Sequence, residues 1–454
     1  MGSELTTPGT DPVAMTQRLI RFDTTNPPGG EADCVGWVAD LLGRAGLRTR
    51  ILAADPARPN LVARLPGRGQ APPLLLHAHV DVVPTADQVW THPPFCGEII
   101  DGHVWGRGAI DMKGGLAMML SAILELRAEG VRPAGDVLLA VVADEEAGSS
   151  VGAGHLVREH PEIFAGVRYA VGEDGGAGLN LDGLNLDGRT RLHPVVVAEK
   201  RACWLRVTLR GPDGHASRVA APTSPVRQLG TLLGAISSGG LAPTMTSAVD
   251  RMLAELAAVV PEPLAADLGR LRLDPGDETA LARLSERDAQ YLRSVLRHSV
   301  NATVIRAGTA TNVLPAEVTV DLDGRLLPGG FDSKDFIAAL AELTALPLGA
   351  GAAVEVLVEG EAMPEPEFGP FYDQLVQILR DADPAGVPLP MMTTASTDAR
   401  LFPALGIACY GWLPLFLPPG GDYRDLLHAA DERIPVEALR FGASCFRDLL
   451  LRYR

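Results

Sequence analysis

The chain has 454 residues, 46% hydrophobic and 21% charged, which is ordinary globular composition with ample length for a large core. At about 150 residues per domain this length gives two or three domains. Lysine and arginine total 40 against 56 acidic residues, and the net charge of −16 argues against nucleic acid and anionic membranes as partners.

The N-terminal stretch MGSELTTPGTDPV has neither a basic flank nor an apolar core. No later stretch approaches the about 18 uncharged apolar residues of a membrane span, so a soluble, cytoplasmic protein is expected. The cysteines Cys34, Cys96, Cys203, Cys409 and Cys445 are odd in number and lack CxxC spacing, which points away from a disulfide framework or a thiolate zinc site.

Residues 13 to 50 carry a helical pattern, VAMTQRLIRF and then CVGWVADLLGRAGL, broken by the turn-rich TTNPPGGE. Apolar runs at Asn60 to Leu65, Leu74 to Val83 and Val137 to Ala143 alternate with the helical stretch Gly114 to Glu129. These are β-α-β units, which predict a parallel sheet covered on both faces. Between about Val195 and Gly360 strand-like and helical stretches follow in the order β-α-β-β-α-β, a two-layer sandwich. A charged, helix-rich insertion at Leu241 to Ser299 interrupts it, with its charges expected on a solvated face. After Phe368 the first pattern resumes through FYDQLVQILRDA, IACYGWLPLFL and VEALRFGASCFRDLLLRY. The expected organisation is one α/β domain split between residues 1–195 and 361–454, with residues 196–360 inserted. That arrangement lets His428 return to a site begun at His79.

The chemistry begins in LLLHAHVDVVP. Residues two apart on a strand face the same way, so His79 can offer one ring nitrogen to a metal while Asp81 accepts a hydrogen bond from the other. His77 shares that face, and a buried strand end with ordinary hydrogen bonds is the competing reading. In GRGAIDMKGG, Asp111 precedes a glycine-rich helix start, where an aspartate is most often a cap. Its alternative role is to bridge two metals about 3.5–4 Å apart. The run LLAVVADEEAGS ends an apolar strand in three acids, whose desolvation and repulsion call for cations. Of these, Glu145 and Glu146 point different ways, so one can bind metal while the other takes a proton from water. VGEDGGAG offers Glu173 or Asp174 after another short apolar run, and LLHAADERI places His428 near a helix start.

In this order the chain resembles the cocatalytic zinc exopeptidase and deacylase superfamily that contains aminoacylase, acetylornithine deacetylase, succinyl-diaminopimelate desuccinylase, glutamate carboxypeptidase and the carnosine-type dipeptidases. The blocks that carry the resemblance are TTNPPG at Thr24, HAHVDVVP around His79, GRGAIDMKGG around Asp111, DEEAGS around Glu145, GPDGHAS at His215, TNVLPAEVTVDLDGR ending at Arg325, and HAADE at His428. The resemblance implies an α/β fold: a mixed-sheet catalytic domain with an inserted two-layer β-α-β-β-α-β lid and dimerisation domain. It implies two zinc ions, with cobalt or manganese as alternatives. One would be held by His79 and Glu173 and the other by Glu146 and His428, with Asp111 bridging and a cis peptide bond after it. Glu145 would be the general base and Asp81 the group that orients His79.

Two divalent ions, three ligand carboxylates and one bridging hydroxide sum to neutrality, and carboxylates with neutral imidazoles suit zinc. The implied reaction is hydrolysis of an amide in an N-acyl amino acid or short peptide, with the water pKa lowered towards about 7. His215, on the inserted domain, would stabilise the oxyanion, often for a neighbouring subunit, which implies a homodimer. Asn312, Arg325 and Arg400 match positions that bind a substrate carboxylate. For Arg325 an ion pair with Asp321 or Asp323 competes with that role; for Arg400 a plain surface arginine does. Two departures stand out: MMTTASTD replaces the usual glycine-rich approach to the late T/S-D motif, and Asp174 stands where glycine is common. A catalytically silent dimeric binding protein on the same scaffold is the alternative function.

Overall fold

A run that is apolar throughout, rather than at every second position, belongs to a strand covered on both faces. Leu74–His79 and Val137–Val142 are such strands, buried at every residue. The computed structural model that places them describes residues 9–174, 191–238, 240–349, 352–418 and 423–454. Met1 to Pro8, the start of the N-terminal stretch read above, lie outside the described residues.

The chain separates into two compact units. The first comprises residues 1–197, 366–391 and 397–454, and the second residues 198–365 and 392–396. The first unit is built on an eight-stranded sheet in the order Thr49–Leu52, Asn60–Leu65, Val137–Val142, Leu74–His79, Tyr169–Gly172, Ala408–Gly411, Arg191–Glu199, Gly386–Thr393. The sheet is mixed, not wholly parallel as the β-α-β pattern alone predicts. Val137–Val142, Leu74–His79, Tyr169–Gly172 and Ala408–Gly411 run parallel, while Asn60–Leu65 and Arg191–Glu199 join antiparallel at the two sides. The strand expected to run on to Val83 ends at His79.

Helix Lys113–Ala128 is buried over nearly its whole surface because helices Pro12–Ile20 and Val436–Arg452 pack against it. Its contact with Val436–Arg452 is close: a Cβ on Gly442 would lie 2.0 Å from Met118 Sδ. Leu138, Ala140 and Val142, alternate residues of one strand, join Leu156, Phe164 and Phe402 in a separate apolar cluster. Each fully buried leucine or phenylalanine contributes about 1.5–3 kcal/mol, so the strands are held from both sides and their ends are fixed in space.

The second unit carries an antiparallel four-stranded sheet in the order Ser299–Ala307, Glu317–Leu326, Arg201–Arg210, Ala353–Glu359. Its two central strands alternate strictly: Cys203, Leu205, Val207 and Leu209 pack with Val318, Val320 and Leu322 against Phe336 and Leu340 of helix Ser333–Thr344. The insertion forms helices Ser247–Ala257, Leu264–Leu273 and Glu286–Val295, on which Met252, Leu268 and Leu292 are buried. Its charges are paired outside, as in Arg272–Asp250 at 2.8 Å and Arg293–Glu278 at 2.9 Å. Among the described residues no helix is long and apolar enough to cross a membrane.

Candidate metal centre

Three neighbouring parallel strands deliver acids and a histidine to one edge of the first unit's sheet. Leu74–His79 ends on His79, Val137–Val142 runs into Asp144, Glu145 and Glu146, and Tyr169–Gly172 runs into Glu173. C-terminal ends of parallel strands are where open α/β sheets place ligands. Gly172 is required for the last of these: a Cβ there would sit 2.0 Å from Nε2 of His77. His77 itself is core. It packs against Phe402 with ring centroids 5.0 Å apart, and burial holds it neutral by lowering its pKa to about 3.

The geometry is that of two half-sites sharing one aspartate. His79 Nε2 lies 3.1 Å from Asp111 Oδ1 and 3.2 Å from Glu173 Oε2. His428 Nε2 lies 3.3 Å from Asp111 Oδ2 and 3.3 Å from Glu146 Oε2. Each oxygen of Asp111 therefore faces a different histidine. Of the adjacent acids Glu173 and Asp174, Glu173 is the one that meets His79. Glu145 stands in a further cluster with His79 and Glu146.

The first half-site fits a cation on tautomer grounds. His79 Nδ1 lies 3.0 Å from the Asp81 backbone carbonyl, which can only accept, so Nδ1 carries the ring hydrogen. The neutral ring then presents a bare lone pair at Nε2 to two carboxylate oxygens. Only an additional proton or a cation makes that arrangement attractive. The acids show the same need. Burial pushes Glu173 up to about 8, and burial with the nearby Glu173 charge raises Glu145 well above the usual carboxylate range. Burial acts to raise Asp111 too, but its hydrogen bonds with His428 and His79 prevail and hold it low. Hydrogen bonds with Asp111 and Glu146 raise His428 to about 10. Carboxylate and imidazole donors of this kind suit divalent zinc, cobalt or manganese.

The surroundings differ from the sequence reading at Asp81 and at His428. Asp81 holds His79 mainly through its carbonyl, since Asp81 Oδ1 is 3.6 Å from Nδ1. Its carboxylate is occupied by Asn26 Nδ2 at 2.8 Å and by the amides of Glu145 and Glu146, each at 3.1 Å. Asp81 thus fixes the turn that carries the acid pair. At Asp111 the competing role of helix cap falls away, since Met112 occupies the cap position of Lys113–Ala128, and the Asp111–Met112 peptide bond is cis, as the resemblance implies. His428 sits at no helix start but in a turn with φ 59°, before strand Arg433–Pro435.

Several residues were not singled out from sequence. Asp144, first member of the acidic run, turns away with φ 68° and accepts from Arg58 at 2.9 Å and from Ser150 and the Val151 amide. Arg58 also pairs with buried Glu31 at 2.8 Å. Glu432 is fully buried and receives the amides of Gly108, Ile110 and Asp111 together with the Arg107 guanidinium. Arg107 continues to Gln88, whose amide holds the His428 carbonyl at 2.7 Å. Asp431 completes the brace by taking both the Thr91 amide and hydroxyl at 2.7 Å. The only sequence signal for Glu432 was its place in HAADE, and Arg58 had none.

Of the residues expected at the substrate, Arg400 belongs to the first unit and donates to Ser149 Oγ at 2.9 Å and the Thr397 carbonyl. His215, Asn312 and Arg325 belong to the second. His215 is exposed on a two-residue strand paired with Val313, and the Asn312 carbonyl beside it accepts the Ala216 amide at 3.0 Å. Because His215 Nδ1 accepts the Ser217 amide at 3.2 Å, the neutral ring carries its hydrogen on Nε2, as a donor. Arg325 is bound in a two-pronged pair to Asp323, at 2.8 and 3.1 Å.

A mixed α/β sheet whose strand ends gather histidines and carboxylates into two joined clusters defines the class of metal-dependent hydrolases. Residues 75–452 match Peptidase family M20/M25/M40, and the chain belongs to that family. It is 27% identical over 444 residues to aminoacylase-1 of Sus scrofa, covering 96% of this chain and 94% of the relative. It is 26% identical over 456 residues to succinyl-diaminopimelate desuccinylase of Paracoccus denitrificans, covering 98% and 99%. The fold is shared with an M20 family metallo-carboxypeptidase from Sulfolobus solfataricus, with a TM-score of 0.69 at 17% identity over 98% of this chain and 99% of that one. The chain is a metal-dependent hydrolase of amide bonds.

Proposed function

We propose that this protein hydrolyses the amide bond of an N-acyl amino acid or a short peptide carrying a free carboxylate, with a pair of zinc ions as the resident metals. His79 and Glu173 would hold one ion, Glu146 and His428 the other, and Asp111 both. The observation that carries the reading is the division of Asp111 between two imidazoles, 3.1 Å on one side and 3.3 Å on the other. When bound, such a pair polarises the scissile carbonyl and acidifies water.

Glu145 is the proposed proton carrier. Its raised pKa favours taking a proton from the attacking water and returning it to the leaving amine. Asp81 keeps Glu145 and Glu146 in register through their amides. In the proposed domain scheme, residues 196–360 act as lid and dimerisation domain, and the enzyme works as a homodimer. His215 would offer its Nε2 hydrogen to the oxyanion, with Asn312 beside it. Arg325 and Arg400 were the guanidinium candidates for the substrate carboxylate. Both already have partners, Asp323 and the Ser149 turn, with which a substrate carboxylate would compete; Asn312 is the remaining candidate for that carboxylate.

Assay of the purified chain against N-acyl amino acids and dipeptides, with and without added zinc, tests the proposal. Zinc-dependent hydrolysis that disappears in Glu145→Gln is the expected result; full activity in chelator-treated protein sinks it.

A further inference from the structure

A second charged cavity lies at the other edge of the first unit's sheet. Leu65 pairs with Val137, the first residue of Val137–Val142, whereas the candidate metal ligands follow the last. One strand length, about 17 Å, separates the two edges. The cavity has a volume of about 420 Å³, within the usual range for small-molecule sites of about 300–1,000 Å³. Arg48, Arg64, Arg127 and Arg132 line it, and no acidic residue does. They come from four separate places: the approach to strand Thr49–Leu52, strand Asn60–Leu65, the last turn of helix Lys113–Ala128, and the loop before Val137–Val142.

Structural duties do not use up these charges. Arg64 pairs with Asp136 at 2.8 Å, and Arg132 donates to the Gly67 carbonyl. Arg48 and Arg127 make no ion pair among the described residues. The ends of helices Ala32–Arg44 and Lys113–Ala128 meet here, and arginines often serve as caps at such ends. Here backbone amides close those turns instead: Leu47 donates to Leu42, and Val131 to Leu126, at 3.0 and 2.9 Å. The nearest acids of the helix, Glu125 and Glu129, are turned to Arg447 at 3.4 and 2.9 Å. Four exposed guanidinium groups with one carboxylate partner gather positive charge at this edge, in a chain whose net charge is −16, and solvent screens part of their mutual repulsion. An anion that accepts several N–H bonds at once removes that repulsion.

We propose that this cavity binds a small multiply charged anion, a phosphate ester or a polycarboxylate, at a site separate from the metal centre. The buried Leu47 and Leu65 form an apolar floor under the ligand's carbon skeleton, and the guanidinium groups take its charged ends.

Calorimetric titration of the metal-loaded full chain with inorganic phosphate and, separately, with propane-1,2,3-tricarboxylate tests the proposal. One site per chain is expected for at least one probe, and the tighter probe identifies the ligand chemistry. Arg48→Glu/Arg127→Glu should weaken that site about tenfold or more, the scale of one lost charge-assisted bond. Arg48→Gln/Arg127→Gln should do so less steeply, and a control reversal on exposed helical positions, Arg380→Glu/Arg440→Glu, should leave it intact. Turnover of amide substrate should be unchanged in all three. The proposal fails if neither probe binds below about 10 mM. It also fails if binding survives Arg48→Glu/Arg127→Glu, which places the anion at the metals, or if the control weakens it equally, which leaves only a net-charge effect.

Discussion

Two charged regions of the molecule are built on opposite principles. On the outer face of the second unit's sheet the arginines have carboxylate partners: Arg206 with Asp321 at 2.7 Å, Arg325 with Asp323 at 2.8 Å, Arg210 with Glu317 at 2.8 Å. At the strand ends of the first unit, carboxylates face each other and the lone pairs of histidines, under burial that pushes Glu173 up to about 8. Paired charge in water adds at most about 1 kcal/mol per pair and describes a surface. Unbalanced charge held out of water costs several kcal/mol and persists only where something else compensates it. Mutations should therefore have very unequal effects in the two regions.

The largest effect is expected at Asp111. Asp111→Ala removes the carboxylate whose two oxygens lie 3.1 and 3.3 Å from the two histidines, so hydrolysis should fall by more than about 10³-fold. Metal analysis should show loss of at least one ion per chain, and chelation of the wild type should reproduce the kinetic loss. Next is Glu145→Gln, which keeps shape but cannot carry a proton. A kcat reduced by about 10²–10⁴-fold, with metal content and KM unchanged, is the outcome that separates a base from a ligand. Asp81→Ala should come third, at about 10–100-fold in activity or metal affinity. Its loss frees the Glu145–Glu146 amides and Asn26, while the backbone carbonyl of residue 81 still holds the His79 ring, so rescue by excess metal should be partial.

The same contrast explains what could be read from the residues in order. Strand ends were legible where continuous apolar runs stop abruptly, at Asp144 and at Glu173, and parallel neighbours bring such ends together whatever their separation in sequence; the end at His79 was not, because the apolar run goes on to Val83. The inserted sandwich was legible because its central strands alternate and its helices keep their own period. The antiparallel joins at Asn60–Leu65 and Arg191–Glu199 were not, because apolar runs carry no direction. Nor was the shell. Arg58 meets Glu31 and Asp144 across 27 and 86 residues, and Glu432 meets the 108–111 loop across more than 320, contacts that no local pattern encodes. Asp81 shows a finer limit: spacing puts it on the correct face, but whether its carbonyl or its carboxylate meets His79 depends on Asn26 and two amides that compete for the carboxylate.

The smallest expected effect is the most discriminating. Arg325 sits half-exposed on the second unit's sheet with both prongs on Asp323, and that carboxylate also accepts the Trp204 indole N–H at 3.0 Å. If this pair is surface structure, Arg325→Ala should cost no more than about 1 kcal/mol in thermal unfolding. It should also change KM by less than about threefold, with kcat untouched. If Arg325 instead leaves Asp323 to hold a substrate carboxylate, the substrate loses a charge-assisted pair worth about 1.5–3 kcal/mol, and KM rises by about tenfold or more at constant kcat. Asp323→Ala tells the two apart from the other side. A structural Arg325 then merely becomes mobile, whereas a substrate-binding Arg325 is released from its competitor and KM falls.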